Sequence, residues 1–222
     1  MRLAARLSNP WPGLVGPAAA AVFAVALVGF AARHEGYTHG TKAVSELGAV
    51  GAPDALAFNV IGFGLPGVLI IMLAMVLHVR LAGRRRAVLG PALLALSGLS
   101  LVLAGVFPVD MNRLQAPTSV AHFVAAQATG LAWTASLFWL GGRMRATSGF
   151  GWLGALSPWF SLFLLANVGW QVVWRATGTL EPGWGQRLAF AGFFLWAAIA
   201  GLRLIAVRTA ANAHASGDPV ST

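Results

Sequence analysis

Six polar side chains that could bind a ligand or transfer a proton recur near one end of successive apolar segments of this sequence. Two carboxylates and an imidazole among them could act as general base and general acid, with Glu46 or Asp110 activating water and His122 protonating a leaving group. The same groups could hold a divalent metal, but no ligand spacing specifies one and we predict no metal site. The full set is Glu46, Asn59, Asp110, His122, Asn167 and Gln171.

A histidine pair in the first polar stretch resembles the zinc-binding helix of metalloproteases at first sight. His34 is followed by Glu35, and His39 comes five residues after His34. That zinc site needs two histidines four residues apart on one helical face, whereas a spacing of five turns them about 140° apart. Because Gly36 and Gly40 also weaken any helix here, we do not predict a metalloprotease.

The composition of the 222-residue chain indicates a membrane protein. Apolar residues make up 58% of the sequence and charged residues 9%, the mean hydropathy is +0.74, and there is no cysteine. A soluble domain is about one-quarter charged. The composition therefore argues against a soluble enzyme, a disulfide scaffold and a cysteine-ligated metal site.

Apolar blocks of about twenty residues match the length of helix that crosses about 30 Å of hydrocarbon. We therefore predict an all-α fold, a six-transmembrane-helix bundle that forms one membrane domain over residues 1–207. A polar loop at 33–56 follows the first helix, and the small, polar residues 208–222 are predicted to be a disordered tail. The predicted helices span residues 13–32, 57–79, 87–107, 118–141, 151–174 and 187–207.

The net charge of +9 is explained by membrane orientation rather than by nucleic-acid binding. If the N-terminus is cytoplasmic, ten of the fifteen Lys and Arg residues lie on the cytoplasmic side, together with one acid, Asp218. The other side carries five basic and five acidic residues. Since cytoplasmic loops are enriched in Lys and Arg, we predict that both termini are cytoplasmic and that residues 33–56 form an outer loop. Arg84, Arg85 and Arg86 then face anionic lipid headgroups, and no nucleic-acid partner is predicted.

The predicted fourth helix has a face of small and polar residues that would point into the bundle and permit close packing. At 100° per residue this face spans about 80°, and it consists of Thr118, His122, Ala125, Thr129, Ala132 and Ser136. The fifth helix places Asn167, Gln171 and Trp174 within about 60° of one another. All six candidate site residues map to the outer third of the predicted bundle. Its inner half contains no comparable set of polar residues.

Three interpretations of this one-sided polar set stay open. The first is a structural network that fixes the loop 33–56 to the bundle through pairs made by Glu46 and Asp110. Their partners would be nearby cations: Lys42, Arg113, Arg187 or His122. The second is a pocket open to the outer leaflet, with catalysis as an extension of ligand binding. The third is proton or ion transport, which the lack of charged residues in the inner half disfavours.

Two motifs and their order give the sequence a family resemblance. The first is Ser45-Glu46-Leu47-Gly48-Ala49 with Gly51-Ala52-Pro53, followed by Asn59, and the second is Phe107-Pro108-Val109-Asp110, followed by His122. With the six-helix layout over about 13–207, the chain resembles the bacterial integral-membrane family catalogued as "domain of unknown function 998". The family often has Cys where this chain has Val109. The resemblance implies the architecture and a bacterial inner membrane, but no reaction.

The leading functional prediction is an outer-leaflet-facing polar pocket that binds an amphiphilic ligand such as a lipid or isoprenoid. Glu46, Asp110 and His122 are the catalytic candidates within it, and Asn59, Asn167 and Gln171 complete its lining. The alternative is a non-catalytic accessory or assembly subunit of a membrane complex, whose polar cluster is structural. The predicted partners are the bilayer and either a lipid ligand or a membrane protein. The sequence specifies no cofactor.

Overall fold

A computed structural model describes residues 11–81, 88–177 and 182–216 of the chain. Over these residues the regular secondary structure is helical, with no β-strand, and six helices are long and apolar enough to cross a membrane. This confirms the predicted all-α bundle of six membrane-spanning helices. The helices are α1 (Trp11–Arg33), α2 (Ala55–Leu81), α3 (Leu89–Val106), α4 (Pro117–Arg145), α5 (Gly151–Thr177) and α6 (Pro182–Ser216).

The last helix is longer than predicted. It continues to Ser216, so residues 208–216 are helical, and the prediction of a disordered tail is wrong for them. Small residues suggested a flexible tail, but the stretch is rich in alanine, the strongest helix former. Residues 217–222, which complete the predicted tail, lie outside the described residues.

The helices form one bundle in which sequence neighbours pack side by side. The chain runs from α2 through α3, α4 and α5 to α6 in successive contacts, and α1 packs against both α2 and α6. Close approach between neighbouring helices depends on glycine. A Cβ atom on Gly16 would lie 2.0 Å from the carbonyl oxygen of Ala197, and one on Gly67 would lie 2.6 Å from that of Gly98. Any larger side chain at these positions would push the helices apart.

The first half of α2 is not regular α-helix. A short α segment, Ala55–Phe58, leads into a π-helical segment, Asn59–Gly64, before the α-helix resumes. Pro66 explains the position of this irregularity, because proline lacks an N–H group and clashes with the carbonyl group four residues earlier. The helix widens ahead of the proline, and the amide of Leu65 bonds to the carbonyl group of Val60, five residues back.

We call one end of the bundle the loop end, because residues 34–54 and 107–116 connect the helices there. An aromatic cluster from α1, α2 and α6 packs at this half of the bundle and consists of Phe23, Phe58, Phe63, Phe190 and Phe194. Which end of the bundle faces the cytoplasm stays a prediction. That prediction rests on the distribution of charged residues, and seven of these lie outside the described residues: Arg2, Arg6, Arg84, Arg85, Arg86, Glu181 and Asp218.

Candidate functional site

Glu46 lies in a short 3-10 helix, Val44–Gly48, that folds the loop over the end of the bundle. One carboxylate oxygen accepts a hydrogen bond from the amide of Ala43 at 2.8 Å. The other lies 3.1 Å from the ammonium group of Lys42. Both oxygens of Glu46 therefore have partners within the loop, where the carboxylate caps the start of its own helix.

Asn59 joins this loop to the start of the π-helical segment. Its amide nitrogen donates a hydrogen bond of 2.9 Å to the carbonyl oxygen of Gly48, and the side chain is buried. The contact requires glycine at position 48, because a Cβ atom there would lie 2.0 Å from the side-chain oxygen of Asn59. The glycine of the first motif thus makes room for the asparagine that follows it.

Asp110 organises the turn between α3 and α4. One carboxylate oxygen accepts hydrogen bonds from the amides of Asn112 and Arg113 at 3.0 and 3.2 Å, and the other accepts one from the Arg113 side chain at 2.8 Å. The hydrogen bond from the Arg113 side chain lowers the pKa of Asp110 below its ordinary value; burial opposes this shift, and the amide of Asn112 supports it. The carboxylate is held in its charged form.

A serine at the start of α4 holds the same turn from the other side. The hydroxyl oxygen of Ser119 accepts a hydrogen bond of 2.9 Å from the amide of Asp110, and the hydroxyl group donates to the carbonyl oxygen of Arg113 at 3.0 Å. The sequence analysis placed Thr118 on the inward face of this helix, and that prediction is wrong because Thr118 is exposed and Ser119 is buried. The other predicted positions of that face are buried: His122, Ala125, Thr129, Ala132 and Ser136.

His122 caps the C-terminal end of α3. Its Nδ1 atom lies 2.8 Å from the carbonyl oxygen of Ala104 and 3.0 Å from that of Phe107, so Nδ1 carries the proton and donates to both. Carbonyl groups in the last turn of a helix have no partner within that helix. The imidazole, which is buried between Phe63 and Phe123, therefore acts as a side-chain cap for α3.

The two sequence motifs meet directly at the loop end. The amide of Val50, in the first motif, donates a hydrogen bond of 2.8 Å to the carbonyl oxygen of Val109, in the second. Close packing continues beside it, since a Cβ atom on Gly105 would lie 2.7 Å from the carbonyl oxygen of Asn59. The structure thus brings the elements that carry Glu46, Asn59, Asp110 and His122 into one assembly.

Asn167 and Gln171 lie apart from those four residues, between α5 and α6. The amide nitrogen of Asn167 donates a hydrogen bond of 2.9 Å to the carbonyl oxygen of Gly185, and Gln171 packs against the same glycine. The side-chain oxygen of Asn167 is buried and accepts no hydrogen bond from the described residues. The predicted set of six is therefore divided into a group of four and a separate pair.

Arg187, named in the sequence analysis only as one alternative partner for a carboxylate, instead bonds four groups near the loop. Its guanidinium group donates hydrogen bonds to the Tyr37 hydroxyl at 2.6 Å, the Lys42 carbonyl at 2.9 Å, the Gly183 carbonyl at 2.9 Å and His39 Nδ1 at 3.1 Å. Burial raises the pKa of Tyr37, with the charge of Arg187 opposing the shift. No spacing signal joins Arg187 to its three partners in the loop, because they lie 145 to 150 residues away in sequence.

Gln186 is a further contact that sequence reasoning missed. Its side-chain oxygen accepts a hydrogen bond of 2.8 Å from the amide of Val44, at the start of the 3-10 helix. The amide of Gly183 donates to the carbonyl oxygen of Gly40 at 2.9 Å. The first turn of α6 therefore holds the loop at several points. We call the residues that fix the two connectors of the loop end, 34–54 and 107–116, the clasp: Glu46, Asn59, Asp110, Ser119, His122, Gln186 and Arg187.

A small cavity lies at the opposite end of the bundle. Its volume is about 10 Å³, which is room for one water molecule. None of the six predicted site residues lines it; its walls are formed by Pro12, Gly13, Val76, Arg80, Leu204, Ile205 and Arg208. This cavity is therefore not the predicted ligand pocket at the loop end.

Comparison with known proteins gives one match. The profile of a family described as "Protein of unknown function (DUF998)" matches residues 17–203, which include both motifs and all of the clasp. No curated protein and no solved structure matches the chain significantly.

Proposed function

This multi-pass membrane chain belongs to the DUF998 family, and we propose that it is a non-catalytic accessory or assembly subunit of a membrane complex. In this proposal the clasp has a structural task, which is to hold residues 34–54 and the turn 107–116 in place at the end of the bundle. A rigid loop end then offers a constant surface to a partner protein. We thus prefer the structural alternative from the sequence analysis to the predicted ligand pocket with possible catalysis.

The observation that carries the proposal is that the three catalytic candidates already bond to the chain itself. The carboxylate oxygens of Glu46 and Asp110 accept hydrogen bonds or ion pairs from neighbouring residues, and His122 Nδ1 donates to two carbonyl groups. A general acid or base works best when its pKa lies near the operating pH. The lowered pKa of Asp110 is a shift in the opposite direction.

We further propose that the loop end faces the outside of a bacterial cytoplasmic membrane and that both termini are cytoplasmic. The support is the distribution of Lys and Arg along the chain, with ten of fifteen on the proposed cytoplasmic side. The surface held by the clasp would then be the extracytoplasmic face of the subunit.

The first test is His122→Ala in the purified, detergent-extracted protein. The change leaves two carbonyl groups of α3 without their donor and creates a cavity, so the free energy of unfolding should fall by about 2–4 kcal/mol. Phe123→Ala is the matched control, because Phe123 is the next residue on α4 but is 42% exposed, and it should cost clearly less. A His122→Ala protein as stable as wild type would contradict the structural role.

The second test looks for the partner itself. The tagged full-length protein is purified from its native membrane in mild detergent, and a stoichiometric membrane protein should be recovered with it. The amount of co-purified partner should fall for Arg187→Ala, because this change frees the loop. It should be unchanged for Arg33→Ala, because the ion pair of Arg33 with Asp54 is exposed. Recovery of the protein without any stoichiometric partner would argue against an accessory subunit.

One observation favours the ligand-binding alternative, and it concerns only Asn167 and Gln171 of the six predicted residues. The buried side-chain oxygen of Asn167 accepts no hydrogen bond from the described residues, and Gln171 lies one helical turn away. A hydroxyl group of a lipid or isoprenoid headgroup could donate to this oxygen. Native mass spectrometry would then show a bound lipid that is lost in Asn167→Leu and retained in Leu165→Ala, a change at an exposed position of α5.

A further inference from the structure

Gln127 is an exposed polar side chain in the middle of a membrane-spanning helix. It lies about 15 Å along α4 from the first residue, Pro117, at a rise of 1.5 Å per residue, which is half the thickness of a hydrocarbon core of about 30 Å. The side chain is exposed on the surface of the bundle, and no group among the described residues bonds to it. At that depth the surface of the bundle faces acyl chains, which offer neither donors nor acceptors.

The residues around Gln127 form an exposed stripe on α4. Val124 is 65% exposed and Leu131 is 67% exposed, and the stripe begins at Val120 and ends before Thr134, which is buried. The steps from 120 to 124, 127 and 131 are four, three and four residues, which is the spacing of a helix seam that packs against another helix. Exposed apolar residues are ordinary on a lipid-facing surface, so Gln127 is the residue that distinguishes this stripe.

We propose that this stripe is a dimer interface at which α4 packs against α4 of a second copy of the chain, with the two Gln127 side chains bonded to each other. A primary amide carries both a donor and an acceptor, so two of them related by a two-fold axis can satisfy each other. Copies inserted in one membrane share one orientation, and the two-fold axis is then normal to the membrane. Each residue of the stripe therefore faces its own counterpart.

A second copy fits Gln127 better than the other available occupants. An unbonded amide in hydrocarbon is costly, and a lipid chain cannot reduce that cost. A polar side chain within an apolar helix seam also fixes the register and the number of helices. The interface lies on the face of α4 that points away from the bundle, and it does not include the clasp. If the dimer proposal is refuted, the proposed accessory role is therefore unaffected. If the accessory role is refuted, the dimer proposal is likewise unaffected.

The test uses the absence of cysteine from the natural sequence. Leu131→Cys gives each chain a single thiol in the stripe, and the purified full-length protein is reconstituted into phosphatidylcholine vesicles and oxidised with copper phenanthroline. A disulfide-linked dimer should form. The matched control is Leu195→Cys on α6, which is 55% exposed and lies about 20 Å from the start of its helix, nearly the same depth as Leu131. This control should stay monomeric.

A second change in the Leu131→Cys background tests the role of the amide. Gln127→Leu should reduce cross-linked dimer formation about three- to thirtyfold, the effect of losing one interhelical hydrogen bond in a bilayer, whereas Gln127→Asn should retain most of it. Gln127 bonds to no group in the described part of the chain, so the leucine variant should fold with an unchanged thermal midpoint. Three outcomes would overturn the proposal: equal cross-linking through Leu195→Cys, no dimer through Leu131→Cys, or cross-linking that Gln127→Leu leaves unchanged.

Discussion

The polar side chains of the clasp and Gln127 differ in where they find their partners. Clasp residues lie at the loop end and bond to other parts of the same chain, mostly to main-chain groups, as Asn59 does to Gly48 and His122 does to Ala104 and Phe107. Gln127 lies at mid-depth and has no bonding partner in the described part of the chain.

The difference follows from the backbone around each residue. The 3-10 helix, the π-helical segment and the ends of helices leave main-chain groups unbonded, and the clasp side chains bond to those groups. Gln127 lies in the interior of α4, where main-chain groups bond to one another along the helix. A polar side chain can therefore be satisfied within the chain where the backbone is irregular, whereas in a regular span it needs a partner from another helix or another molecule.

Arg187→Ala should have the largest effect on the clasp. The change removes three hydrogen bonds that hold the loop to α6 and one bond within α6, and two of these four bonds are partly buried. The free energy of unfolding should fall by about 2–4 kcal/mol. Hydrogen exchange followed by mass spectrometry should show faster exchange of the amides of residues 37–46.

The control for that experiment is Arg33→Ala. Arg33 also belongs to the loop end, but its single ion pair, with Asp54, is exposed and should contribute less than about 1 kcal/mol. If both variants gave the same exchange rates over residues 37–46, the contacts of Arg187 would not be what fixes the loop.

Ser119→Ala should have an intermediate effect. The hydroxyl group of Ser119 bonds to two main-chain groups of the turn after α3, and its removal leaves the amide of Asp110 buried without an acceptor. We expect a loss of about 1–3 kcal/mol, measured as a lower thermal midpoint. Thr118→Ala changes the neighbouring hydroxyl residue at an exposed position and should cost less than about 0.5 kcal/mol. The reverse order would show that the helix is turned as the sequence analysis predicted.

The contribution of Asp110 should depend on pH. Because its pKa in the folded protein lies below its ordinary value of 3.8, ionised Asp110 stabilises the fold at neutral pH. That contribution is fully present above the ordinary pKa and is lost as the pH falls through the lowered one. The difference in thermal midpoint between wild type and Asp110→Asn should therefore shrink between pH 5 and pH 2.

The fold was predictable because the bilayer limits the solutions. Each apolar block long enough to cross hydrocarbon must be a helix, since an unbonded backbone is too costly there, and the six predicted spans correspond to α1 to α6. The exception is the end of α6. There the chain leaves the membrane, helix propensity decides instead of length, and the alanine-rich residues 208–216 extend the helix.

The candidate site was predictable in its residue types but not in its partners. Lys42 and Arg113 were two of the four cations named as partners, and they are the two that lie close in sequence, four and three residues from Glu46 and Asp110. The partner of His122 is main chain, and finding it requires knowing where α3 ends. Contacts between distant segments, such as the bonds of Arg187 to the loop, depend on the packing of α6 and carry no local signal.

Gln127→Leu should have the smallest effect on the stability of the monomer. It tests most directly whether Gln127 differs from the clasp residues, which bond within the chain. The same type of change, amide to leucine, is made at Asn59, and both variants are unfolded in detergent at a protein concentration low enough to keep the chain monomeric. Asn59→Leu removes the donor to the carbonyl oxygen of Gly48 and should cost about 1–3 kcal/mol. Gln127→Leu removes no bond to residues 11–81, 88–177 or 182–216 and should change stability by less than about 0.5 kcal/mol. A comparable loss at Gln127 would mean that it has a partner inside its own chain, which would remove the reason to expect a second copy beside α4.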